Sequence, residues 1–173
     1  MQKVYIVLTY TGTLLSRMVK GYTKKEYSHI SLALDEDLKE MYSFGRKSAY
    51  NPLNAGFVHE SKDRGIFKRF NKTKTKIYSL QINEEQFKKI KKVIDEFNNN
   101  QSSYRFNMLG VILAAWNLKL KREKHFYCAE FVKYVFETSD LEYNLPDVIK
   151  PNDFENINNL QEIYQGILKE YNI

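Results

Sequence analysis

Tyr27-Ser28-His29-Ile30-Ser31-Leu32-Ala33-Leu34 reads as a β-strand whose two faces differ in kind. Side chains alternate across a strand, so Ile30, Leu32 and Leu34 share an apolar face while His29, Ser31 and Ala33 share a small, polar one. The second face leaves room for another group beside the histidine. Lys3–Thr9 precedes it as a further apolar strand, and Leu38–Phe44 follows after Asp35-Glu36-Asp37, a hairpin turn. Ile66–Phe70 and Lys76–Ile82 are two more predicted strands flanking a basic loop.

The second half of the chain is patterned for helices. Asn83, with Gln86 three residues on, forms an N-cap and capping box, and Phe87, Ile90, Ile94 and Phe97 recur at helical spacing behind it. A second helix covers Met108–Asn117. A third starts near Cys128 with Phe131, Val132, Val135 and Phe136 on one stripe. The spacing of Leu160, Ile163, Tyr164, Ile167 and Leu168 predicts a last helix after Pro151. Strands first and helices later imply an α+β fold, an antiparallel sheet with packed helices. No repeat, low-complexity tract or linker divides the 173 residues, so 1–173 is read as a single domain.

Composition narrows the function classes. Hydrophobic residues at 43% and charged residues at 28% are an ordinary globular balance, which excludes wholesale disorder. A net charge of +6 admits an anionic partner without requiring one. The apolar run Met108–Trp116 falls well short of the ~20 residues that cross a bilayer as a helix. The N-terminal apolar stretch is too short for a secretion signal, which predicts a cytoplasmic protein. The single cysteine, Cys128, excludes an intrachain disulfide and agrees with that location.

Cys128 sits in His125-Phe126-Tyr127-Cys128-Ala129-Glu130-Phe131-Val132, where the third helix begins. Unpaired N–H groups and the positive end of the helix dipole favour a thiolate there, and Lys119, Lys121, Arg122 and Lys124 add positive potential just upstream. A lone cysteine is otherwise a small buried hydrophobe. Histidine decides between the two. The chain has His29, His59 and His125, and His29 opens a strand on its small, polar face. A cysteine at a helix start and a histidine at a strand start are the parts of a papain-like site, in which the imidazole takes the thiol proton. Here the histidine precedes the cysteine, the order of a circularly permuted papain fold.

With Ser28-His29-Ile30 leading a hairpin, Tyr127-Cys128-Ala129-Glu130-Phe131-Val132 opening a helix, and Leu145-Pro146 and Lys150-Pro151-Asn152-Asp153-Phe154 closing the domain, the chain resembles the permuted NlpC-type papain-fold proteins. That group includes YiiX-like bacterial proteins and the lecithin:retinol acyltransferase relatives. The resemblance implies a cysteine hydrolase or acyltransferase working through a thioester on Cys128, with His29 as base. Its substrate would be a small molecule, peptide or lipid with an amide or ester bond, and no cofactor is called for. The group that orients the imidazole is expected on the next strand. Glu40 is the best partner, because a carboxylate stabilises an imidazolium, with Tyr42 or Ser43 as substitutes if the register differs.

Two rival readings have some basis in the residues. His125-x-x-Cys128 offers two metal ligands where structural zinc wants four, so no metal site is expected. Lys62, Arg64, Lys68, Arg69, Lys72, Lys74 and Lys76 face a single acid, Asp63, between positions 62 and 76, and Phe67 and Phe70 bracket a Lys-Arg pair. That segment gives the alternative, a nonenzymatic basic protein binding nucleic acid or another anionic partner. Without a nucleic-acid motif, alternating Lys and Thr reads first as a solvated edge strand.

Overall fold

Residues 1–48, 51 and 54–172 are described by the structure, a computed structural model. The elements run β1 (Gln2–Tyr10), α1 (Leu14–Thr23), β2 (His29–Ala33), β3 (Met41–Arg46), β4 (Ala55–Glu60), α2 (Gly65–Arg69) and β5 (Lys74–Ile82). They continue with α3 (Glu84–Asn99), β6 (Arg105–Phe106), α4 (Met108–Ala115), β7 (His125–Phe126), α5 (Cys128–Thr138) and β8 (Leu160–Ile167). The main sheet has the order β4-β3-β2-β1-β5-β8, every neighbouring pair antiparallel. The α+β class with an antiparallel sheet is therefore the one the sequence predicts.

Strand β1 is apolar on both sides because both of its faces are covered. Val4, Ile6 and Leu8 belong to the main core, which takes in α3 and α5, while Tyr5 and Val7 join Phe67, Leu168 and Tyr171 in a second cluster. Four of the eleven phenylalanines meet at one junction. Phe44 of β3, Phe57 of β4, Phe97 of α3 and Phe131 of α5 are buried together, with Phe97 and Phe131 centroids 5.2 Å apart and Phe44 and Phe131 5.5 Å apart. Edge and tilted ring packing of this kind adds to the area buried. It fixes α5, and so Cys128, against the strands that carry the other site residues.

The capping box at α3 forms as expected: the Gln86 N–H donates to Asn83 Oδ1 at 2.8 Å and the Asn83 N–H to Gln86 Oε1 at 3.0 Å. Four expectations need correction. Ile66–Phe70 lies in the short helix α2 and its C-cap, behind Gly65 in a left-handed conformation (φ +58°). The predicted final helix is strand β8. A register shift against β5 between Ile77 and Tyr78 leaves Ile163 as an extra residue, and such a bulge turns a two-residue alternation into spacings of three and four that imitate a helix. The third predicted strand starts at Met41, not Leu38, because the Asp35 carboxylate accepts the Lys39 and Glu40 N–H groups at 3.0 and 2.7 Å and lengthens the turn. Finally, Lys74–Lys76 lies in β5 between β1 and β8, so it is not an edge strand; the edges are β4 and β8.

Candidate active site

His29 is the first residue of β2 and Glu60 the last of β4, with β3 between them. A side chain from β3 at this level would hold them apart, but the residue there is Gly45. A Cβ on Gly45 would lie 3.2 Å from His29 Cε1 and 3.8 Å from Glu60 Oε1. The imidazole rests on the bare backbone of the middle strand and meets the carboxylate across it. His29 Nε2 lies 3.2 Å from Glu60 Oε2, and Ser31, next on the same face of β2, donates its hydroxyl to that oxygen at 2.6 Å. Ser31 Oγ is also 3.3 Å from Nε2. With Ser31 already donating to Glu60, Nε2–H is the group that faces the carboxylate.

The other partner of the ring is Cys128. It lines the same cleft as His29, and its sulfur is among the groups that favour the charged imidazole. Cys128 is buried at the first turn of α5, which packs on β2 and β3. Three segments hold that turn. The Tyr127 hydroxyl donates to the Ile149 carbonyl at 2.9 Å, and the Tyr127 N–H donates to Glu130 Oε2 at 3.1 Å. Asn107, fully buried, donates Nδ2 to the same Glu130 oxygen at 3.2 Å, and its Oδ1 accepts the Gly110 N–H at 3.1 Å as the N-cap of α4. The starts of α4 and α5 thus share one buried network.

Electrostatics follow from this packing. Burial by itself would discharge His29, but the Glu60 carboxylate, the Cys128 sulfur and their hydrogen bonds outweigh it and raise the imidazole pKa to about 10. Burial likewise opposes the charge on Glu60, yet His29, the Ser31 hydroxyl and Arg46 hold its carboxyl below the usual range. The result is a half-buried imidazolium–carboxylate pair that lines the same cleft as the thiol. The His29 side chain keeps 21% of its exposure and Glu60 10%, so the cleft reaches the imidazole while the carboxylate stays behind it.

That cleft holds about 980 Å³ of empty space including its open mouth. His29, Cys128 and Glu60 line it together with Phe44, Phe67, Phe106, Met108, Val111, Ala114 and Ile149, while Arg46 and Lys150 supply the remaining charges. A mostly apolar cleft with a few convergent polar groups is the usual form of a site for a small or medium-sized ligand.

The site residues expected from sequence divide two ways. His29 and Cys128 come together. Glu40, Tyr42 and Ser43 do not supply the partner of the ring, which is Glu60. Tyr42 pairs with Leu32, so Glu40 and Tyr42 share the sheet face opposite His29. There the Tyr42 hydroxyl donates to the Glu40 carboxylate and His59 stacks on Tyr42 with centroids 4.9 Å apart. Ser43 is on the His29 face, but its hydroxyl donates to the Ile30 carbonyl at 2.6 Å. Glu60 is not among the expected site residues because Ala55–Glu60 is not among the predicted strands. The signal was Gly45: a glycine inside a strand pattern marks the close approach of another group. Among the described residues, no group of three or more His, Cys, Asp or Glu is placed to hold a metal ion. His125 instead lies with Nδ1 2.7 Å from the Glu123 carbonyl.

No protein-family model matches the chain, and no curated protein is significantly similar to it in sequence.

Gly45 gives a direct test of the geometry. In Gly45→Ala the ring must give way by a few tenths of an ångström. Misplacing a reacting group by ~1 Å costs on the order of 10²-fold, so a fall of roughly tenfold in turnover is expected with little change in melting temperature. Unchanged turnover in both Gly45→Ala and Gly45→Val would mean that the contact of His29 with Glu60 does not matter for activity.

Proposed function

We propose that this protein is a cysteine hydrolase or acyltransferase of the circularly permuted papain-like, NlpC-type kind, with Cys128 as nucleophile, His29 as proton carrier and Glu60 as the group that orients and charges the imidazole. The observation that carries the reading is that one half-buried imidazole, paired with a carboxylate across a glycine, lines the same cleft as a thiol at a helix start. The order of the site residues along the chain, histidine before cysteine on an antiparallel sheet, supports the permuted arrangement.

In the reaction the Cys128 sulfur, its proton held by His29, attacks the carbonyl carbon of an ester or amide. The backbone N–H groups at the start of α5 would stabilise the negative charge that develops on the carbonyl oxygen. The bond to the leaving group breaks as His29 returns the proton to it, giving a thioester on Cys128. Neutral His29 then takes a proton from water or an acceptor alcohol or amine, which attacks the thioester and frees the enzyme. Throughout, Glu60 keeps the proton on Nε2 and stabilises the cation. The apolar walls of the cleft favour an apolar acyl group over a charged one.

The nonenzymatic alternative rests on a basic segment that is ion-paired within the fold at Lys74 and Lys76. Lys76 pairs with Glu155 at 3.1 Å and Glu162 at 3.3 Å, and Lys62 donates to the Tyr171 carbonyl at 2.7 Å. The test of the enzymatic reading uses p-nitrophenyl esters of increasing acyl length, followed by nitrophenolate release and intact mass. Release above background and an acyl adduct on Cys128 are expected, both absent in Cys128→Ala. Equal release by wild type and Cys128→Ala across the whole ester series would remove the reading.

A further inference from the structure

We infer that the outer face of α4 and the basic loop after it dock on an anionic lipid surface, with the mouth of the cleft beside it. Helix α4, Met108-Leu109-Gly110-Val111-Ile112-Leu113-Ala114-Ala115, has no charged side chain anywhere on its circumference. A helix apolar all round belongs in a core or against an apolar phase. One side of this one is used inside: Met108, Val111, Ala114 and Ala115 line the cleft. The other side is left outside. Apart from Met1 and Tyr134, the large apolar residues that stay exposed among the described residues are Leu109 at 54%, Ile112 at 43%, Trp116 at 59% and Leu118 at 55%. All of them fall on α4 or directly after it.

The chain leaves α4 by a defined turn. Asn117 is left-handed (φ 57°), the Leu118 N–H donates to the Leu113 carbonyl at 3.0 Å and the Asn117 N–H to the Ala114 carbonyl at 3.1 Å. This Schellman closure keeps Leu118 at the helix end. Lys119, Lys121, Arg122 and Lys124 follow, all exposed, with Glu123 as the only acid among them. Lys119 pairs with Asp147 at 2.9 Å, whereas Lys121, Arg122 and Lys124 make no ion pair with described residues. Exposed apolar side chains beside unneutralised cations fit a surface that offers hydrocarbon under negative headgroups. Eight residues of helix span only ~12 Å, so α4 lies in such an interface and does not cross it. No helix among the described residues is long and apolar enough to cross a membrane.

Docking is independent of the chemistry at Cys128; only the delivery of a lipid-borne acyl group to that thiol rests on the proposed function. The sole tryptophan of the chain, Trp116, lies at the docking surface and reports on it directly. The experiment titrates the full-length protein with vesicles of phosphatidylcholine containing phosphatidylglycerol, and with phosphatidylcholine alone, following tryptophan emission and cosedimentation. A blue shift and binding are expected on the anionic vesicles, weakened by salt, with much less of both on phosphatidylcholine. Leu109→Glu with Ile112→Glu is expected to lower binding roughly tenfold or more. The charge-only pair Lys121→Glu with Arg122→Glu, which leaves the helix untouched, is expected to abolish the preference for anionic vesicles. Cys128→Ala should bind as wild type does, so loss of the enzymatic reading leaves docking standing, and the reverse holds too. No blue shift on anionic vesicles, or the same binding in both variant pairs, overturns the proposal. Self-association that Ile112→Glu abolishes, without vesicle binding, assigns the face to a second copy of the chain instead.

Discussion

Iodoacetamide is expected to alkylate Cys128 between pH 6 and 7 at least ~10-fold faster than it alkylates glutathione, although the cysteine is buried. The cause is the charge on His29. An imidazole raised to about 10 remains a cation through neutral pH, and a cation sharing a cleft with a thiol makes that thiol more reactive. A structural cysteine packed among apolar groups would behave in the opposite way. His29→Ala should slow the low-pH labelling by ~10-fold or more, since it removes that cation from the cleft. With one thiol in the chain, intact mass counts the product without ambiguity. The midpoint of the pH profile is a better readout than the plateau, because a stabilised thiolate is intrinsically a weaker nucleophile. A profile that matches glutathione and ignores His29→Ala would leave Cys128 a packing residue.

Glu60→Gln is expected to cost ~10²–10⁴-fold in ester turnover, whereas Glu40→Gln should stay within about twofold of wild type. Glutamine preserves the size of the side chain and can still accept from Ser31, so the loss reports on charge. Stability against pH gives a second reading of the same pair. The pKa of His29 is higher in the folded state than the ordinary value of 6.5. Its contribution is therefore complete below about 6.5 and is lost as pH rises through about 10. Glu60 has the opposite sign: its lowered pKa stabilises the fold at neutral pH and that contribution disappears as acid protonates it. Urea melts of wild type should weaken from pH 6.5 toward 10, and Glu60→Gln should flatten that slope. An equal slope in both proteins would show that His29 is not held charged by Glu60.

The parts of the site that lie within single elements could be read from the residues. His29 opening a strand and Cys128 opening a helix each carry their meaning locally, in an alternation and in a helix start. What could not be read was the pairing of distant strands. The choice between Glu40 and Ser43 depended on the length of one turn, and Asp35 sets that length through two side-chain hydrogen bonds that periodicity does not register. Glu60 lies two strands from His29, so no pattern within either strand could name it. Only the missing side chain at Gly45 connects them. The misreading of Leu160–Leu168 has a similar origin, since a bulge is a property of a strand pair and not of one strand's sequence. Lys76 of the basic run likewise meets its acids only in the fold, from Glu155 and Glu162 late in the chain.

The position of Glu60 ties function to an edge of the sheet. Strand β4 is an edge, bonded to a neighbour on one side only, and Glu60 is its final residue. Edge strands and element ends open with less free energy than the core they border. When the end of β4 peels away, His29 loses its counter-charge while α5, the aromatic junction and the central strands stay folded. The cysteine would then pass between a reactive and a quiet state without the domain unfolding. Anything that pairs with the outer edge of β4, a further strand or another chain, would hold the site in its armed form.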